Sequence, residues 1–123
     1  MDTTAAQRVE RYERLLKVMQ GLTPHQRREH FDITTWGYRT ECGTVACAAG
    51  HAGLNTWFRR HGFTMTCTRR EGYAFPGMQP SEFFGGEGMN IIFTNGRLTT
   101  VPLVIKRVKE FIKQLKERPD SVA

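Results

Sequence analysis

Cysteine, acidic residues and long apolar runs are all scarce in this chain, and each scarcity narrows what it can be. Three cysteines in 123 residues, an odd number without an export signal, read as reduced thiols in a cytosol. The leading Met1-Asp2-Thr3-Thr4 lacks the basic-then-apolar pattern of a signal peptide, so a cytoplasmic location is expected. No apolar run approaches the ~20 residues of a membrane span, so no membrane partner is expected. No HExxH, GxSxG, GxGxxG or carboxylate pair occurs, and several enzyme classes thereby lose their usual local marker. The glycine-rich Glu82-Phe83-Phe84-Gly85-Gly86-Glu87-Gly88 is no phosphate loop. It lacks the following Lys-Ser/Thr, and its two glutamates would repel phosphate. There is no internal repeat, linker or low-complexity tract.

What is present suits one small globular domain over 1–123, with a disordered tail at about 119–123. Hydrophobic residues make up 39%, with eight Phe, three Tyr and two Trp, enough for a core without obligatory disulfides or metal. The net charge is +6, from 18 Lys and Arg against 12 Asp and Glu, and 13 of the bases are Arg. Guanidinium in excess favours bidentate contact with phosphate or carboxylate, although the same surplus also serves solubility.

Hydrophobic periodicity predicts three main helices. In the first, over 4–20, Val9, Tyr12, Leu15, Leu16 and Met19 form one stripe, with Thr3 or Thr4 as cap. Its bases Arg8, Arg11, Arg14 and Lys17 lie off the stripe, with Glu10–Arg14 and Glu13–Lys17 in the favourable acid-first order. Thr23-Pro24 opens a short helix to about His30, and Trp36-Gly37-Tyr38 reads as a turn. A helix over 44–60 is the second of the three. Alternation in Phe63–Thr68 predicts a strand, Arg69–Gly72 a hairpin loop, and Tyr73–Phe75 the return. A helical turn is expected at Pro80–Phe84, an apolar run of undetermined type at Met89–Phe93, and a turn at Asn95-Gly96. The last helix, about 101–117, buries Val101, Val104, Ile105, Val108, Phe111, Ile112 and Leu115. The expected fold is α+β: three main helices packed with a short antiparallel β-hairpin.

Cys42-Gly43-Thr44-Val45-Ala46-Cys47-Ala48-Ala49-Gly50-His51 is where thiol, imidazole and a helix start could converge. On a helix over 44–60, Cys47, His51, Leu54 and Phe58 share a face. Ala46, Gly50 and Gly53 make a side-chain-poor stripe that admits another backbone. The plain reading is scaffold: a core thiol, a hydrogen-bonded histidine and tight packing. Three chemical alternatives stand beside it. Cys42, Cys47, His51 and Cys67 supply four zinc donors, although no paired C-x-x-C knuckle is present. Cys42 before a helix would be a candidate nucleophile, its thiolate favoured by the dipole and an oxyanion held by the amides of Gly43 and Thr44. Its base would have to come from another segment, because His51 lies two turns away. Cys42 and Cys47 could also form a redox pair.

The motif Cys42-Gly43-Thr44-x-x-Cys47-x-x-Gly50-His51-Ala52 resembles that of a loose family of short bacterial and bacteriophage proteins. Phe31, Asp32 and Trp36 upstream are also similar, as are Phe83 and Phe84, and Thr100, Pro102, Ile105 and Arg107 in the closing helix. Family members often carry Trp at the position of His51, which weakens the case for an obligatory ligand there. The resemblance implies a host-directed, anti-defence kind of role and no reaction.

The sequence thus favours a non-catalytic binding protein that meets an acidic protein surface or nucleic acid through its bases. The binding residues expected are Arg59, Arg60, Arg69 and Arg70, with Lys106, Lys109, Lys113 and Lys116 on the last helix. No cofactor is expected, zinc being the alternative. The rival classes are a cysteine-nucleophile enzyme built on Cys42 and a zinc module that binds nucleic acid.

Overall fold

The computed structural model describes residues 4–31, 38–40, 43–45, 47–68, 72–91 and 100–117. Helix α1 (Ala5–Gly21) starts where the Thr4 side chain accepts from the Gln7 amide while the Gln7 side chain accepts from the Thr4 amide. This reciprocal cap satisfies two backbone donors that no helical carbonyl can reach. Thr23 and Gln26 repeat the device ahead of α2 (Pro24–Glu29), with proline at the first helical position. From α2, Arg27 reaches back over the end of α1. Its Nε donates to the Leu22 carbonyl at 3.0 Å, and its Nη2 lies 3.4 Å from the carbonyls of Met19 and Gln20. A guanidinium at that end meets unpaired acceptors and the negative pole of the helix.

Among the described residues there are seven helices and two antiparallel two-stranded sheets, an α+β arrangement. Strands β1 (Tyr38–Thr40) and β2 (Gly43–Val45) pair with Arg39 opposite Thr44. The expected helix over 44–60 is therefore absent. Gly43–Val45 is extended, and two short helices follow, α3 (Ala48–Gly53) and α4 (Thr56–Arg60). The break has a local cause. The Asn55 side chain accepts from the Trp57 amide at 2.9 Å and caps α4, after a glycine that helix interiors disfavour.

Strands β3 (Thr66–Thr68) and β4 (Gly72–Ala74) make the expected hairpin, with Cys67 opposite Tyr73. Phe63–Met65 do not join it. The Phe63 and Met65 amides donate instead to the carbonyls of Phe58 (3.0 Å) and Gly53 (2.8 Å). This is the close backbone approach expected of the small-residue stripe. A Cβ on Gly53 would meet the Met65 nitrogen at 2.7 Å. After β4 come α5 (Pro80–Phe84), α6 (Gly86–Ile91) and α7 (Val101–Glu117). The apolar run from Met89 therefore finishes α6, as far as it is described.

The core lies where α7 packs along α1. Tyr12, Leu15 and Met19 meet Val101, Val104, Val108, Phe111 and Leu115 in one buried cluster. Each such side chain contributes roughly 1.5–3 kcal/mol when fully buried. A second knot is aromatic. Phe58 stands 6.2 Å from Phe63, 5.5 Å from Phe83 and 6.0 Å from Phe84, ring centre to ring centre. Tyr12 joins the two, set edge-on to Phe111 at 4.9 Å and donating its hydroxyl to the Phe84 carbonyl. Burial pushes the Tyr12 phenol up, against a smaller opposing pull from Arg8, so the hydroxyl stays a donor.

Candidate functional site

On α7, Lys106, Lys109, Lys113 and Lys116 recur at intervals of three, four and three, so they share one side of the helix. All four are exposed. The adjoining apolar side, Val108, Phe111, Ile112 and Leu115, is pressed against α1. Burying one side of an amphipathic helix sends the other outward, and here the outward side carries the amines.

Where the two helices meet, an open groove of about 310 Å³ is lined by Glu13, Leu16, Lys17 and Gln20 of α1 and by Lys109, Ile112 and Lys116 of α7. Three amines face one carboxylate, so the lining carries a surplus of two positive charges (three minus one). Leu16, half-buried, and Ile112, 7% exposed, give it apolar ground between the charges. The Glu13 carboxylate, set for Lys17 by spacing along α1, turns across the groove to Lys116 at 4.0 Å. Both partners are more than half exposed, and such a pair is worth at most about 1 kcal/mol. An incoming carboxylate can therefore replace Glu13 at little cost.

The structure thus brings Lys109 and Lys116 together with Lys17, Glu13 and Gln20, which sequence reasoning did not select. Lys106 and Lys113 stay on the same side of α7, outside the groove lining. A signal for Lys17 existed in its place off the α1 stripe. Which helix it would face depends on tertiary packing.

Two other bases of α1 are engaged elsewhere. Arg11 lies 4.2 Å above the Phe83 ring and donates through Nη1 to the Phe83 carbonyl at 2.8 Å. Desolvation lowers its pKa, opposed by nearby Glu10. Arg14 stands 5.2 Å over the Trp57 ring. These contacts make Arg11 and Arg14 packing elements.

Arg59 and Arg60 are exposed in the last turn of α4, where the helix dipole favours cations. Beside them His61 stacks on Trp57 at 4.0 Å and donates from Nδ1 to the Trp57 carbonyl at 2.8 Å. Arg69 and Arg70 lie outside the described residues, as do Cys42, Trp36, the Asn95-Gly96 turn and the tail at 119–123.

The sulfur-bearing segment differs from expectation in three ways. The residue that opens α3 is Cys47, 3% exposed at the N-cap. The residues right after Cys42 belong to strand β2, so the helix pole invoked to activate that thiol lies five residues further on. Gly43 and Thr44 are paired to Thr40 and Arg39, and do not form a helix N-terminus that could hold an oxyanion. His51 stands at the edge of the core. Its Nε2 donates to the His30 carbonyl at 2.6 Å, and Phe31 stacks on its ring at 6.3 Å. Desolvation lowers the His51 pKa, outweighing the opposing effect of its hydrogen bond to the His30 carbonyl. Among the described residues no three His, Cys, Asp or Glu gather to hold an ion. Cys47, His51 and Cys67 are thus not brought together as a donor set. Leu54, expected on their shared face, is 38% exposed while Phe58 is fully buried, because the helix breaks between them.

No protein-family model, curated protein or solved structure matches this chain.

Proposed function

We propose that this chain is a small, non-catalytic binding protein that docks its cationic surfaces on an acidic partner, acting as a host-directed, anti-defence modulator of the sort implied by its resemblance to short bacteriophage proteins. The observation that carries the binding role is the lysine-lined groove between α1 and α7. Its amines are exposed, its one carboxylate is weakly held, and its lining includes the apolar Leu16 and Ile112. Arg59 and Arg60 at the end of α4 supply a second cationic surface. Clustered positive charge of this kind speeds encounter with acidic surfaces and weakens with salt.

Fluorescence anisotropy against poly-glutamate and duplex DNA, titrated with NaCl, tests the reading. Binding to at least one polyanion should fall steeply with salt. Replacing Lys106, Lys109, Lys113 and Lys116 together with Gln should weaken it about tenfold or more. No binding to either probe, or binding indifferent to both salt and the lysines, would sink it.

A further inference from the structure

We infer that the groove between α1 and α7 takes an acidic peptide segment of a partner protein, with two carboxylates flanking one apolar side chain. This rests on the cationic-binding role proposed above and specifies its ligand. Lys109 and Lys116 are seven residues apart on one helix, a separation of about 10 Å at 1.5 Å per residue. Ile112 lies between them along α7 and lines the groove together with Leu16 of α1. The groove therefore presents cation, apolar ground and cation in sequence along α7, with Lys17 adding a third amine from the facing helix. A helical segment with Glu at i and i+7 and Leu between them repeats that order at the same spacing.

The same features count against nucleic acid in this groove. A phosphate track gains nothing from Leu16 and Ile112. The lining holds no aromatic ring on which a base could stack. The Glu13 carboxylate is the internal stand-in: it sits against Lys116 where a ligand carboxylate would bind.

A fluorescein-labelled helical peptide with Glu-Leu-Glu in that spacing, titrated in an anisotropy assay, tests the assignment. A Leu→Ser peptide, a charge-matched shuffle and duplex DNA serve as comparison probes. The first peptide should bind, and Leu→Ser or shuffling should each weaken it about tenfold, since a buried leucine is worth that much or more. K109Q with K116Q should weaken it about tenfold, and E13Q should tighten it severalfold. R28Q, at an exposed position of α2, should leave it unchanged. All these positions are exposed, so circular dichroism should report an unaltered fold.

Equal binding of the first peptide and its Leu→Ser form overturns the assignment, because the apolar ground then plays no part. So does dependence on Arg59 and Arg60 with none on Lys109 and Lys116. Duplex DNA held by the groove lysines while every peptide fails overturns this assignment and leaves the cationic-binding role standing. Failure of every anionic probe overturns both.

Discussion

At the scale of single residues, two side chains show how tightly the core is set. A Cβ built on Gly88 would collide with the Tyr12 hydroxyl, which is fully buried and held to the Phe84 carbonyl. The phenol cannot swing away without losing that bond and its contact with Phe111. Gly88→Ala should therefore destabilise the protein by about 1–3 kcal/mol. Gly86→Ala, with nothing within 4 Å, should change stability by about 0.5 kcal/mol or less. Urea denaturation of the two variants checks the contrast, and equal midpoints would refute it. His51 makes a pH prediction. Burial holds its pKa below the ordinary 6.5, so on acidification the unfolded chain takes up this proton before the folded one. The stability associated with neutral His51 is complete above pH 6.5 and is lost as pH falls through the lower, folded value. Melting temperature should thus drop on the acid side, and His51→Gln, which keeps a donor for the His30 carbonyl, should flatten the drop. An unchanged pH profile in that variant would count against it.

At the scale of elements, capping decides where helices stop and start. The Asn55 side chain separates α3 from α4 by accepting from the Trp57 amide. Asn55→Ala should cost about 1 kcal/mol. If the cap is what holds the break, Asn55→Asp should restore most of the loss in thermal denaturation, and no rescue would refute that. The two long helices were legible in the sequence because seventeen residues give several repeats of an apolar period. The expected α7, about 101–117, coincides with Val101–Glu117, and the α1 stripe contains the buried Tyr12, Leu15 and Met19. The pair β1 and β2 was not legible, since neither three-residue strand sits in a longer alternating run such as Phe63–Thr68, which announced β3. The apparent helix over 44–60 failed for the opposite reason. Its spacing fitted a helical face, but spacing cannot register a glycine and a capping asparagine that divide it.

At the scale of the whole molecule, the aromatic knot ties α4, α5 and the approach to β3 into the α1–α7 core. Phe58 touches Trp57, Phe63, Phe83 and Phe84 and is fully buried. Truncation to alanine should cost about 3–5 kcal/mol, a large share of the ~5–15 kcal/mol that holds a domain together. Calorimetry should show the lower transition still as one cooperative step. Two separated transitions would mean that the knot and the helix pair do not fold as a unit. The candidate groove depends on this same assembly, for its walls belong to helices some ninety residues apart in the chain.

The sequence by itself determined the cationic balance, the two long amphipathic helices, their buried stripes and the row of lysines along α7. Each is a matter of composition or of a period repeated several times on one element. Only the tertiary structure decided that Lys17 and Glu13 stand across from Lys109 and Lys116, that Arg11 and Arg14 are spent on Phe83 and Trp57, and that His51 gives its Nε2 to a backbone carbonyl. Those pairings join segments far apart in the chain. Periodicity fixes which side of a helix turns inward, but which neighbour it then meets is set by how all the apolar faces pack at once.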